Sequence, residues 1–453
     1  MPWALRQKMM VESKENLTYK NLSCFKTANF MPAQHQFMKS KIVLSLVVVL
    51  IASGCAANDK KHTPIGGPPA SANKTFDTTI APVETKRPNA DYSPARNGQT
   101  RVNGVKTKTP YKYDKIATRL GRPWAVIPLP DGRLLITEKT GYMQIHDANG
   151  ALIKKITGFP EVDDDGQGGM LDVALDPDFA KNKTIYWSFS ERYGGGNLMA
   201  VAKGQLNEAA AKVDDPKVIF RATPALRGGL HFGSRLVFDK DGNLFVSTGE
   251  RSILEGRKQA QWLNSGLGKI FKITKEGKPA PGNPFINQKD AMPEIYAYGI
   301  RNAQGLDLHP VTGELWENEF GPRGGDELNV IKAGKNYGWP TITYGLEYSG
   351  TQVGDGIQQK EGMEQPIYYW DPVLSPSGMV FYRGNAIPEW KNNLFIGGLS
   401  SEHIARLVIE NGKVVGEERI LADLRERFRD VAYSNNMLYA VTDGGNLYRI
   451  SKK

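Results

Sequence analysis

The chain is 453 residues long, about three times the ~150 that guide a one-domain expectation, although all-β domains routinely exceed that guide. Hydrophobic residues make up 40% and charged residues 23%, so a large core can be buried and a wholly disordered chain is excluded. The 48 Gly and 27 Pro show no Gly-X-Y period, which excludes collagen and points to many turns, and two cysteines, Cys24 and Cys55, exclude a disulfide framework or any Cys-based zinc or iron–sulfur centre.

The net charge of +10 raises the question of a nucleic-acid or acidic-membrane partner, which its location answers. An apolar run of about eleven residues, Ile42–Ala52, is too short for the ~20 that span a bilayer. It follows the basic Met38-Lys39-Ser40-Lys41 and ends at Ala52-Ser53-Gly54-Cys55, which predicts a lipoprotein-type signal peptide over 38–54 and a lipidated Cys55. Residues 1–37 then read as a non-native extension ahead of a start at Met38. Removing residues 1–54 takes away seven Lys/Arg and two Asp/Glu, leaving 51 basic against 46 acidic residues, or +5. No nucleic-acid-binding block remains, so the expected location is the periplasmic side of the envelope, anchored by lipid. Ala56 after the Cys favours the outer membrane. From 55 to 110 the chain has almost no large apolar residue, which predicts a flexible tether before a folded domain over 111–453.

In that domain one unit recurs: a turn with Asp, Asn or Gly, four to six β-prone residues, then a polar break. It appears at 131–147, 181–190, 241–250, 312–321, 391–398 and 435–450. Alternating apolar residues after tight turns predict half-buried strands in hairpins, and helical periodicity is essentially absent. Six units over about 340 residues give roughly 57 per unit, which predicts an all-β, six-bladed β-propeller with a sandwich or barrel as the alternative.

Between the strands lie polar runs that packing alone would not demand. Gly166-Gln167-Gly168-Gly169-Met170 allows close backbone approach to a ligand beside an amide. His231, in Leu230-His231-Phe232-Gly233-Ser234-Arg235, is a candidate general base because an imidazole titrates near neutrality. Arg301-Asn302 presents a guanidinium fork and an amide suited to a carboxylate or a developing oxyanion. The run from Glu319 through Gly321, Pro322 and Asp326 to Glu327 mixes carboxylates with glycine-freed carbonyls, a donor set for Ca²⁺ rather than Zn²⁺. Arg427-Phe428-Arg429 would place two arginines on one side of an extended segment, facing a polyanion or paired carboxylates.

Taken in order, GQGGM, HFGSRLVFD, GIRNAQGLDLHP, NEFGPRGGDELN, GKNYGWP, PSGMVFY and RFRDV resemble the soluble PQQ-dependent aldose sugar dehydrogenases over about 115–450. The resemblance implies a six-bladed propeller with pyrroloquinoline quinone (PQQ) on one face and oxidation of an aldose at C1 to the lactone. By that resemblance His231 is the base, as hydride passes to the quinone, and Arg301 and Asn302 lie at the quinone oxygen. Gln167, Tyr348 and Arg427-Phe428-Arg429 hold the ring and its carboxylates. The carbonyls of Gly321 and Pro322 bind a Ca²⁺ that polarises the quinone, and Glu327 and Tyr337 serve a second, structural Ca²⁺. Two positions depart from the family. Ser400 stands where many relatives have a Lys, leaving His403 as the nearby substitute cation, and Leu230 replaces an Asp, leaving His231 without an adjacent carboxylate. The expected partners are an aldose, an unidentified electron acceptor and a membrane, with the protein a monomer or homodimer. The competing functions are a Ca²⁺-dependent propeller lactonase or hydrolase, and a non-catalytic glycan- or protein-binding lipoprotein.

Overall fold

The computed structural model describes residues 79–453, so the 1–37 extension, the signal segment and Cys55 lie outside the described residues. After β1 (Tyr111–Ala117) the strands run in groups of four. Blade one holds β2 (Pro123–Pro128), β3 (Leu134–Glu138), β4 (Tyr142–His146) and β5 (Leu152–Ile156), and blade two β6 (Met170–Leu175), β7 (Thr184–Tyr193), β8 (Gly196–Asn207) and β9 (Lys212–Arg221). Blade three is β10 (Gly233–Phe238), β11 (Leu244–Thr248), β12 (Lys269–Ile273) and β13 (Ile295–Tyr298), and blade four β14 (Ala303–Leu308), β15 (Leu315–Glu319), β16 (Asp326–Ile331) and β17 (Tyr368–Trp370). Blade five is β18 (Pro376–Phe381), β19 (Leu394–Gly398), β20 (Ile404–Glu410) and β21 (Lys413–Ile420). Blade six is β22 (Phe428–Ser434), β23 (Met437–Thr442) and β24 (Leu447–Lys452), completed on its outer edge by β1, antiparallel to β24. Each of the six sequence repeats coincides with all or most of the second strand of a successive blade: β3, β7, β11, β15, β19 and β23. The six-bladed propeller read from the repeat is the fold observed. Among the described residues no helix is long and apolar enough to cross a membrane.

The innermost strands β2, β6, β10, β14, β18 and β22 each touch the next, and β22 returns to β2. Every one carries a register shift near its start, and such bulges re-aim side chains at a strand's entry. The apolar core lies between neighbouring sheets, while the axis is polar. There Arg235 Nη1 meets Asp172 Oδ1 at 3.0 Å and Asp430 Oδ1 at 3.1 Å, and its guanidinium lies 4.4 Å from the Trp124 ring centroid. The remaining carboxylate oxygens accept from the backbone N–H of Leu236 and Val126, tying adjacent blades together. Gly378 completes the ring, because a Cβ there would sit 1.7 Å from Asp430 Oδ1. Gly378→Ala is therefore expected to lower stability by roughly 1–3 kcal/mol, the usual effect of overpacking, read as a lower urea midpoint at unchanged m-value.

The expected tether is corrected from residue 79 onward. Ala90, Gln99, Val102 and Val105 are buried, and Val105 N donates to Glu417 O at 2.9 Å while Glu417 N donates to Asn103 O at 3.1 Å. Residues 103–105 thus extend the outer edge of blade five. Thr107 and Thr109 bond the carboxylates of Glu418 and Glu389. Composition reports how much apolar surface a segment can bury. This one is held mainly by hydrogen bonds to blade rims, a source of order that composition does not register.

Candidate active site

The site lies at the blade face where the inner strands begin and the second strands end. His231 immediately precedes Phe232 and β10, with φ at +50°, outside the range most residues adopt. Its backbone N donates to Gln167 Oε1 at 2.8 Å, so Gln167 positions the histidine segment. Its Nδ1 lies 2.8 Å from Glu250 Oε1, and the other Glu250 oxygen accepts from Ser252 N. A carboxylate accepts only, so Nδ1 carries the proton and Nε2 is left as the basic nitrogen. Burial, then the Arg301 charge, lower the His231 pKa to about 4 against the opposing pull of Glu250, so the imidazole is neutral near pH 7. The expectation that His231 lacks a carboxylate partner is corrected: Glu250, at the end of the second strand of the same blade, takes the place of a carboxylate at 230.

The neighbouring Arg301 and Asn302 precede β14. Both backbone N–H groups donate to Glu319 Oε2, and Asn302 Oδ1 accepts from Gly233 N at 2.9 Å, which locks these two segments together. Arg301 Nη1 donates to Gly321 O at 2.6 Å and Phe320 O at 3.1 Å, with the guanidinium 5.1 Å from the Trp339 ring centroid. Arg301 Nε and Asn302 Nδ2 are buried donors without a protein partner. Two such donors side by side are costly unless an oxygen-bearing group meets them.

Arg427 and Arg429 do point the same way. Both donate to Asp443: Arg427 Nε to Oδ2 at 2.9 Å, and Arg429 Nε to Oδ1 at 2.8 Å. Burial would raise the Asp443 pKa, yet the two guanidiniums hold it below the ordinary range. Lys139 joins this cluster with Nζ 2.8 Å from Gly166 O, and burial, then Arg122 and Arg429, lower its pKa to about 8. Phe428 is corrected: its ring belongs to the hydrophobic core, 6.2 Å from Tyr448, because the inner strand alternates and turns it away from the two arginines. Tyr348 is 72% exposed on the loop after Leu346, so its ring is not packed into the site in this structure. Ser400 bonds Ser375, and buried His403 has its pKa lowered to about 4 chiefly by burial, so it is neutral and supplies no substitute cation.

Gly321 and Pro322 are buried in the turn joining β15 to β16, and the Gly321 carbonyl keeps a second lone pair beside the Arg301 contact. Glu327 stands directly across from Glu319 on the paired strands, with Glu317 one pleat away. Burial, then mutual repulsion, raise the pKa values of Glu317 and Glu327, and burial chiefly raises Glu319. Glu317 Oε1 and Asn329 Oδ1 are buried without partners, so the donor set is one that a hard cation would satisfy. Tyr337 lines the same cavity as Glu319, Glu327 and Trp339. Its hydroxyl donates to Val330 O and accepts from Lys332 N, so a role in holding a cation falls to its main chain.

Four acidic residues thus occupy one repeated position at or just past the end of a second strand, and each serves the segment entering its blade's inner strand. Glu138 accepts from Gly121 and Arg122 N–H, Glu250 from His231, Glu319 from Arg301 and Asn302 N–H, and Asp443 from Arg427 and Arg429.

Residues 120–449, which hold nearly all of the propeller and this site, match the glucose/sorbosone dehydrogenase family. The chain belongs to that family. The glucose/sorbosone dehydrogenase assignment agrees with a 41% identity over 341 residues to the aldose sugar dehydrogenase YliI of Escherichia coli, covering 74% of this chain and 91% of that protein. The apo crystal structure of soluble aldose sugar dehydrogenase from E. coli superposes with a TM-score of 0.72 at 40% identity, covering 76% of this chain and all of the other. A PQQ-bound aldose sugar dehydrogenase from Streptomyces coelicolor has a TM-score of 0.64 at 28% identity, covering 76% and 99%. The protein is a sugar dehydrogenase-type oxidoreductase, as the resemblance of its motifs implied.

Proposed function

We propose that the protein oxidises aldose sugars at C1 to lactones with PQQ and Ca²⁺. The observation that carries this reading is the juxtaposition of neutral His231, bonded to the Glu250 carboxylate, with two buried, unpartnered donors, Arg301 Nε and Asn302 Nδ2. PQQ, when bound, supplies a two-electron acceptor that side chains cannot provide. His231 Nε2 takes the proton of the anomeric hydroxyl, and Glu250 stabilises the imidazolium that forms. Arg301 and Asn302 would donate to an electron-rich oxygen of the cofactor, while Arg427, Arg429 and Lys139 would neutralise its carboxylates. The carbonyls of Gly321 and Pro322 would hold Ca²⁺ as a Lewis acid, and Glu327 with Glu317 would hold a second, structural cation. The lipid anchor on Cys55 and a periplasmic location are part of the same proposal, as are a monomer or homodimer and an electron acceptor reached from the envelope side.

The test is reconstitution: apo-protein mixed with PQQ and Ca²⁺ is expected to bind the quinone and reduce an artificial acceptor when given an aldose. Absence of bound quinone and of turnover with every aldose tried would overturn the reading. Ca²⁺ should also raise the melting temperature of the apo-protein, by an amount equal to about 2.7 kcal/mol of stabilisation at a hundredfold excess over Kd; calorimetry with Ca²⁺ or EDTA checks this.

A further inference from the structure

The segment ahead of the propeller meets the end of β17 in blade four before running along the outer edge of blade five. Asp371, which follows β17, is buried, and its carboxylate is gripped from this segment: Asn89 N and Nδ2 donate to Oδ1, both at 2.9 Å, and Ala90 N donates to Oδ2 at 3.0 Å. The same Oδ1 that Asn89 grips also lies against Gly324. With φ at +82°, Gly324 could not carry a side chain cheaply, and a Cβ there would fall 2.4 Å from Asp371 Oδ1 and 3.3 Å from Asn89 Nδ2.

Gly324 belongs to the Gly321–Gly325 turn, whose other restraints come from the propeller. Gly321 N donates to Asp326 Oδ1 at 2.8 Å, Arg323 N to Leu346 O at 2.8 Å, and Gly325 N to Trp370 O at 2.9 Å. Arg301 and the Tyr344–Gly345 backbone also press on the turn, and Asp371 with the segment that holds it forms a further wall at Gly324. That segment is itself braced: Arg101 donates to the carbonyls of Glu84, Lys86 and Asp371, at 3.0, 2.7 and 2.6 Å, and Arg419 pairs with Glu84 at 2.7 Å. The family match begins at residue 120, after this brace.

We propose that residues 84–101 form a strap that is a working part of the cofactor site, with Asn89 acting through Asp371 as a positioning residue for the Gly321–Gly325 turn and its cation-binding carbonyls. The inference rests on the PQQ- and Ca²⁺-dependent reading above. A strap that favours the cation-competent turn must in turn be tightened by the cation, by the same factor. Asn89→Ala removes one side-chain donor while leaving both backbone donors, so the chain is expected to fold and melt close to wild type in EDTA.

The experiment uses the full chain, titrating Ca²⁺ at fixed PQQ and reading bound quinone by absorbance after gel filtration. Asn89→Ala is expected to raise the Ca²⁺ concentration for half-maximal PQQ uptake about tenfold. Thr109→Ala, at the opposite end of the pre-propeller segment against Glu389, should leave it unchanged. In the wild-type protein, Ca²⁺ with PQQ should slow hydrogen exchange at the Asn89 and Ala90 amides several-fold. Unchanged or tighter Ca²⁺ dependence in Asn89→Ala, or exchange at those amides indifferent to Ca²⁺, overturns the strap proposal. Failure of the wild-type protein to take up PQQ at any Ca²⁺ concentration overturns the reading it rests on, and the strap proposal with it.

Discussion

His231→Ala is expected to lower kcat/KM for an aldose by about 10²–10⁴-fold, the contribution typical of a positioned general base, while PQQ uptake stays within a few-fold of wild type. The two effects separate because the side chain bonds Glu250 and not Arg301, Asn302, Arg427 or Arg429, the groups proposed to hold the cofactor. Retained turnover, measured with an artificial electron acceptor, would remove His231 from its role. Protonation of Nε2 destroys the base, so activity should be present above the folded-state pKa of about 4 and be lost as the pH falls through it. Glu250 works to raise that value, so Glu250→Gln should shift the acid limb to still lower pH, with kcat between those of wild type and His231→Ala. Stability shifts in the same sense. The unfolded chain protonates first, near ~6.5, so this group supports the fold above that pH and ceases to as the pH falls through about 4.

Arg235→Met is expected to lower the unfolding free energy by about 3–5 kcal/mol, the usual consequence of removing one partner from a buried ionic cluster. The substitution leaves the Asp172 and Asp430 carboxyls facing each other at the propeller axis without a cation. Burial, opposed by Arg235 and aided by Asp430, already places the Asp172 pKa at about 6. Loss of Arg235 removes the opposing influence, so the carboxyls should take up a proton and the destabilisation should ease in acid. Urea denaturation at neutral and mildly acidic pH checks both points. The triple change with Asp172→Asn and Asp430→Asn should recover part of the loss, and a single-variant effect under 1 kcal/mol would contradict the account.

The propeller could be read from the chain because its period is local: a turn residue and the β-prone run after it mark β3, β7, β11, β15, β19 and β23 one by one. His231, Gln167, Arg301, Asn302 and the Arg427/Arg429 pair could be read because they interrupt that period with polar residues where it begins again. Glu250 and Asp443 were not legible from spacing alone, since each meets its partners across a blade, 19 and 14–16 residues away. A signal was present nonetheless: the repeats DGRLLITE, DGNLFVSTGE and TGELWENE all end on Glu, at 138, 250 and 319. Phe428 was misread because strand alternation separates it from its two neighbours. The strap was misread because its order comes from hydrogen bonds made to residues some 280 positions later, such as Asp371.

The pairing of β1 with β24 joins the first strand of the propeller to its last. During synthesis β1 must wait for more than 300 residues to emerge before β24, its neighbour in the sheet, exists, and closure over so long a separation makes folding slow. Until then the outer strand of blade six is an open edge able to pair with another chain. A chain that ends before Leu447 would therefore lose far more than seven residues: it would keep five complete blades, forfeit the closing seam, and leave an adhesive edge exposed.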